Sequence, residues 1–301
     1  MHACIHTCIH SYIHTYIRTY IHTYIHTHTH THIHTHTPTH THTYIHTYIH
    51  KHTHIHTYTH THTHIHTPGT CKTQLYGYGG FEVSLTPGYS GELGAAWLEA
   101  GNCHVVANIR GGGEYGPNWH KMALKENRQK AYEDFFAVAE QLIERGVTSP
   151  SRLACRGGSN GGLLVGNALV QRPDLFGAVV CQVPLLDMRR YSKLLAGASW
   201  MAEFGDPDTS DWEYIQKFSP YHLLDPATKY PKTLFTTSTR DDRVHPAHAR
   251  KMVYKMLDGQ ETRSGLFYYE NIEGGHGGAA DADQSARVMS LIYDFMSSAL
   301  E

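Results

Sequence analysis

From Met1 to about Pro68 the chain is written almost wholly in Thr, His, Ile and Tyr, which confines any ordinary packed core to the residues that follow. This tract has no Asp or Glu, and only Arg18 and Lys51 carry a full charge. Its Thr/His alternation has the period of a strand, yet neither face would be properly apolar, and no turn residues divide it into hairpins. We expect a low-complexity segment, disordered and without a core. The pattern is also what a translated dinucleotide-rich DNA repeat produces, since ACACAC reads Thr-His and ATACAT reads Ile-His. The segment therefore reads as a gene-model or repeat-expansion artefact. Two sharper readings stay open. His-x-His spacing in a flexible tract can capture zinc, nickel or copper, and an uncharged tract rich in Ile, Tyr and Thr is a β-aggregation liability. The chain thus divides into a repeat over residues 1–68 and a globular domain over 69–301.

The whole chain holds 25 Lys and Arg against 27 Asp and Glu, for a net charge of −2. That balance points to no nucleic acid and no anionic membrane as partner. The repeat lacks the basic start, apolar core and small-residue cleavage site of a signal peptide. No apolar run reaches the roughly 18 residues that a membrane span needs. The 6 cysteines form no Cys-x-x-Cys pair. Cys103, Cys155 and Cys181 lie in apolar, strand-like runs, where a free thiol behaves as a small core residue. This favours a reducing compartment, most simply the cytoplasm. No cofactor and no metal is expected in the globular part, and the sequence is silent on oligomeric state.

From about Leu75 strand-like and helix-like runs alternate. Strands are expected at Cys103 to Ile109, Arg152 to Cys155, Ala178 to Val183, Thr233 to Thr237 and Leu266 to Asn271. Helices are expected at Ala131 to Arg145, Asn160 to Val170, His245 to Leu257 and Ala282 to Leu300. This alternation implies an α/β fold, a mostly parallel sheet with helices on both faces. Sites in such sheets gather at the C-terminal edge of the strands. The stretch from Leu185 to Tyr230 is less periodic and rich in aromatics, and is expected to shape a pocket.

Three segments that follow strands carry chemistry. Gly157-Gly158-Ser159-Asn160-Gly161 matches G-x-S-x-G, the strained strand-to-helix turn that exposes a nucleophilic serine. The bland alternative is a glycine-rich turn with Ser159 as a helix N-cap. A serine hydroxyl needs a base, and the order of this fold is serine, acid, histidine. Arg240-Asp241-Asp242-Arg243 supplies the acid, and Gly274-Gly275-His276-Gly277-Gly278 the base. Asp241 would hold the imidazole tautomer while His276 moves the proton. Asp242 is the rival acid, and His245 and His248 are the rival bases. The Asn160 N–H would be the first oxyanion donor. The glycine-rich run Tyr76-Gly77-Tyr78-Gly79-Gly80-Phe81 could supply a second, or could be a turn with core aromatics.

In order along the chain stand Tyr76 to Phe81, Ala107-Asn108-Ile109-Arg110-Gly111-Gly112-Gly113-Glu114-Tyr115-Gly116, Gly157 to Gly162, Arg172-Pro173-Asp174-Leu175-Phe176-Gly177, Asp241 to Pro246 and Gly274 to Gly277. From about Leu75 onward the chain resembles the catalytic domain of the prolyl oligopeptidase family, the S9 serine peptidases. The resemblance implies an α/β-hydrolase domain that hydrolyses short peptides, preferentially after proline, through an acyl-enzyme. It implies Ser159, Asp241 and His276 as the triad and Tyr78 as the oxyanion donor beside Asn160. Phe81 and Trp200 would line the specificity pocket, with Trp200 stacked on the proline ring, and Arg243 would hold a substrate carbonyl. Phe204 stands where the family often has tyrosine, so pocket polarity is expected to differ. Family members carry a seven-bladed β-propeller ahead of this region. Here the repeat stands in its place, and the opening strands of the sheet are expected to be missing. Open alternatives are an acylaminoacyl-peptidase or esterase-like hydrolase, and an inactive fragment lacking the propeller.

Overall fold

The computed structural model describes residues 41–49, 53–61, 71–258 and 263–301. Its sheet is built from β1 (Thr41–Ile49), β2 (Thr53–Thr61), β3 (Thr73–Gly77), β4 (Cys103–Asn108), β5 (Leu153–Gly158), β6 (Ala178–Gln182), β7 (Lys232–Ser238) and β8 (Leu266–Asn271). The order across the sheet is β1-β2-β4-β3-β5-β6-β7-β8. β4, β3, β5, β6, β7 and β8 run parallel. The long helices are α1 (Gln129–Glu144), α2 (Asn160–Gln171), α3 (Ala247–Leu257) and α4 (Ala282–Ala299).

The central strands β4, β5 and β6 are almost wholly buried because both faces are covered, whereas β8 at the edge leaves Phe267, Tyr268 and Tyr269 exposed. The pleat sends alternate residues to opposite cores. Leu153 and Cys155 of β5, Val179 and Cys181 of β6 and Phe235 of β7 join the core that also holds Phe135 of α1 and Leu163 of α2. Ala154, Ala178, Val180 and Leu234 join the other, against Ile292 and Met296 of α4. All parallel strands end on one edge, and Ser159, Asp241 and His276 lie just beyond the ends of β5, β7 and β8.

The helix and strand expectations hold to within a few residues, and β5 runs on through Gly157 and Gly158 to the serine itself. Two segments of the repeat depart from the expectation of no regular structure. β1 and β2 pair antiparallel, and β2 pairs antiparallel with β4, so the sheet crosses the composition break. The physical reason is the open edge of β4, whose free N–H and C=O groups accept any strand. The repeat offers the period-two alternation and the β-branched and aromatic residues that fit a pleat. Expectations for residues 1–40 lie outside the described residues.

A correction concerns cysteine. Cys103 was expected to be a free thiol, but it is joined to Cys71 in a disulfide with Cα atoms 6.4 Å apart. β3 and β4 are neighbours in register from Thr73 and Cys103, and Cys71 sits two residues before β3, so the fold brings together two cysteines whose pairing spacing alone does not reveal. Cys155 and Cys181 are free and buried. Of the three cysteines expected as free core thiols, Cys155 and Cys181 remain so and Cys103 does not. Among the described residues no helix is long and apolar enough to cross a membrane.

Candidate active site

Ser159 sits between β5 and α2 with φ 58° and ψ −116°, a left-handed conformation that a side chain rarely adopts. It occupies the N-cap position, yet its side chain makes no capping hydrogen bond, which removes the bland reading of the motif. Its backbone is bound on both sides: the Ser159 N–H donates to the Gln182 carbonyl at 2.9 Å, and its own carbonyl accepts from Leu163 N–H at 3.1 Å. The hydroxyl is left without a hydrogen bond among the described residues. Gly157 is required by the same turn, because a Cβ there would press on the Gly161 carbonyl.

The Asp241 carboxylate is buried and fixed from its own loop. Its Oδ1 accepts the N–H of Arg243 at 2.9 Å and of Val244 at 2.8 Å. His276 Nδ1 donates to Oδ1 at 3.0 Å and Oδ2 at 2.8 Å. The His276 ring keeps 14% of its surface exposed. The structure brings Asp241 and His276 into contact, while the hydrogen bond from Ser159 to His276 is not formed; such bonds often tighten only with substrate. The histidine loop is shaped by Asn271, whose Oδ1 accepts the N–H of Glu273 and Gly274 at 2.9 Å each. Close approach does not explain every glycine here, since a Cβ on Gly277 would meet nothing.

The rivals have other occupations. Asp242 is exposed. His245 Nδ1 accepts the Ala247 N–H at 3.0 Å, at the start of α3. His248 is buried, its Nδ1 accepting the N–H of Leu186 at 3.2 Å and Asp187 at 3.0 Å, and burial pushes its pKa down to about 4.

The loop after β3 is bound to Asn160, the residue after Ser159. Asn160 Nδ2 donates to the Tyr78 carbonyl at 2.6 Å. The Asn160 N–H stands at the first helical position, where no intrahelical carbonyl can take it. The Tyr78 hydroxyl makes no hydrogen bond among the described residues. Burial pushes its pKa up, partly opposed by the Arg243 guanidinium, so it remains a donor. The exposed Arg243 side chain forms no ion pair among the described residues. Phe81 and Trp200 are both half-buried against the core. Phe204 differs from the expectation. Its ring is wholly buried, edge-on to Phe81 at 5.5 Å and to Tyr191 at 5.6 Å. With no surface to offer a ligand, it packs beneath Phe81 as a support instead of lining a pocket.

Sequence reasoning missed the buried charges behind this wall. Arg128 is wholly buried; its Nη1 donates to Glu203 Oε1 at 3.0 Å and its Nη2 to Asn160 Oδ1 at 2.7 Å. Glu203 Oε1 also accepts the Phe81 N–H at 2.9 Å, and His120 Nε2 donates to Oε2 at 2.7 Å. The Arg128 guanidinium lies 5.2 Å from the Phe204 ring centre. The available signal was a lone glutamate between Ala202 and Phe204 in an otherwise apolar stretch.

Residues 89–301 match the prolyl oligopeptidase family model. An uncharacterized peptidase of Sinorhizobium fredii is 52% identical over 231 residues, 76% of this chain and 31% of that protein. The prolyl endopeptidase of Elizabethkingia miricola is 41% identical over 214 residues, 70% of this chain and 30% of that one. The solved structure of a post-proline cleaving enzyme from Rickettsia typhi superposes with a TM-score of 0.81 at 41% identity, covering 86% of this chain and 38% of that one. The chain spans about a third of the length of these relatives. On the matched span and these identities, the chain belongs to the prolyl oligopeptidase family of serine peptidases, S9.

Proposed function

We propose that this chain carries the catalytic machinery of a serine endopeptidase that hydrolyses short peptides, preferentially after proline. The observation that carries the reading is the Ser159 backbone: a non-glycine residue held at φ 58° with its hydroxyl unbonded at the edge where Asp241 and His276 meet. Backbone strain of this kind persists where the surrounding structure over-determines it, and it clusters at functional sites.

In this reading Asp241 keeps the His276 proton on Nδ1, so the Nε2 lone pair is free to take the Ser159 proton as Oγ attacks the substrate carbonyl. The developing oxyanion is met by the Asn160 N–H and the Tyr78 hydroxyl. His276 then gives the proton to the leaving amine. An acyl-enzyme remains, which water hydrolyses by the same steps in reverse. Phe81 and Trp200 flank the residue before the scissile bond, with the Trp200 indole against its ring. Arg243, exposed and unpaired among the described residues, holds a substrate carbonyl. The names of the relatives, prolyl endopeptidase and post-proline cleaving enzyme, support the proline preference.

The test is a proline-linked fluorogenic peptide assayed beside a p-nitrophenyl ester, with Ser159→Ala as the control. Peptide cleavage that disappears in Ser159→Ala is expected. Ester turnover without peptide cleavage would sink the proposal in favour of an esterase-like hydrolase.

A further inference from the structure

Phe81 and Glu82 stand consecutively in the left-handed region, at φ 55° and 57°, with no glycine to relieve either. Two such residues in a row need to be held from outside the loop. The holding atoms are buried. The Phe81 N–H is taken by Glu203 Oε1, and three residues earlier the Tyr78 carbonyl is taken by Asn160 Nδ2. Arg128 joins the two anchors, one nitrogen on Glu203 Oε1 and the other on Asn160 Oδ1. The result is a closed path: Tyr78 carbonyl, Asn160, Arg128, Glu203, Phe81 N–H. This path carries the Tyr78 side chain, the Phe81 ring and the first residue of α2, whose N–H has no intrahelical acceptor. There is no room for slack, since a Cβ on Gly80 would collide with the Asn160 side-chain amide.

Resting on the peptidase reading above, we infer that Arg128 and Glu203 are positioning residues that lock the Tyr78–Phe81 loop to the nucleophile's helix and thereby set the spacing of the two oxyanion donors. A buried ion pair is weak ground for stability, because apolar residues of similar volume often serve as well or better. This pair carries bonds that apolar residues would not replace: one to Asn160 and one to the strained Phe81 amide. Donors aimed at charge that appears only in the transition state affect kcat more than substrate binding. The His120 bond to Glu203 Oε2 fixes the carboxylate plane from the far side.

The experiment measures fluorophosphonate labelling rates at Ser159, and kcat and KM with a proline-linked peptide, on the full chain. Glu203→Gln is compared with wild type, with Tyr78→Phe and with the combination of the two. Because removing one charge strands the other, the paired variant Arg128→Met/Glu203→Leu is made beside them, with a thermal melt on each. We expect Glu203→Gln and the paired variant to lose kcat by up to the roughly 100-fold that one oxyanion donor contributes, with KM little changed. In the Tyr78→Phe background the further loss should be smaller than in wild type, since Glu203→Gln acts in part by displacing the Tyr78 hydroxyl that this background already lacks. A folded paired variant that labels at the wild-type rate overturns the inference alone, and so do losses that multiply fully with Tyr78→Phe. A folded wild-type chain that does not label overturns the proposed function, and this inference with it.

Discussion

His276 Nδ1 faces both oxygens of Asp241, at 3.0 and 2.8 Å, while Oδ1 is already held by two backbone N–H groups of its own loop. The carboxylate therefore cannot swing away from the ring without giving up its loop contacts. Only a carboxylate accepts on both oxygens, and an amide would present N–H to the imidazole and select the wrong tautomer. Asp241→Asn is expected to lower kcat by about 10⁴-fold. Asp242→Asn, at an exposed neighbour, should leave kcat/KM for a proline-linked peptide close to wild type. Equal damage from both variants would mean the acid has been assigned to the wrong carboxylate.

Tyr78 gives a second prediction. Its side chain is half-buried, its hydroxyl makes no hydrogen bond among the described residues, and its pKa is raised above the ordinary tyrosine value. A raised pKa on an acid keeps the neutral, donating form to higher pH. Ionisation of Tyr78 should accordingly cause no fall in the wild-type rate at or below about pH 10. Tyr78→Phe should lose about 10²-fold in kcat with KM nearly unchanged, and its alkaline profile should have the same shape as wild type. An alkaline limb present in wild type and absent in Tyr78→Phe would contradict this.

The parts of the site that announce themselves in sequence are those whose backbone requirement is local. Ser159 follows Gly157, which its turn requires, His276 is marked by flanking glycines, and Asp241 follows β7 closely. Arg128 and Glu203 were not visible because their partnership spans 75 positions, and neither has a local signature beyond a charge among apolar neighbours. Phe204 shows the same limit from the other side. Motif position put it in the pocket, but only the packed rings of Phe81 and Tyr191 show that it lies beneath the wall. In the fold, β5 to β8 were legible as short strand-like runs that alternate with helical ones. β3 was harder, since Thr73 and Gln74 are buried polar residues and Gly77 ends it. The hairpin of β1 and β2 was hidden by composition: the alternation was plain, but its partner, the free edge of β4, is a property of the assembled sheet.

His248 links a buried site to acid stability. Its Nδ1 must stay unprotonated to accept from Leu186 and Asp187, and burial lowers its pKa to about 4. The unfolded chain binds that proton near pH 6.5, so the contribution of this group is complete above pH 6.5 and is lost as the pH falls towards 4. The loss should be on the order of 3 kcal/mol of unfolding free energy across that window. His248→Asn keeps an acceptor but does not titrate, and denaturant titrations should show a flatter acid slope for it. An unchanged slope would place the acid sensitivity elsewhere.

Trp200 tests the proline preference separately from the chemistry. It is half-buried against the core and ends the short helical turn Leu195–Trp200 that leads to Glu203. Each proline methylene covered by the indole is worth about 0.8 kcal/mol, which corresponds to roughly 4-fold in binding. Trp200→Ala should therefore lower kcat/KM for a proline-linked peptide by at least this factor, chiefly through KM. It should lower it less for the matching alanine-linked peptide, which has no ring to stack. Fluorophosphonate labelling, which needs no such contact, should be nearly unchanged. If both peptides lose rate equally, Trp200 supports the fold of the pocket and the preference for proline arises from Phe81 or from shape alone.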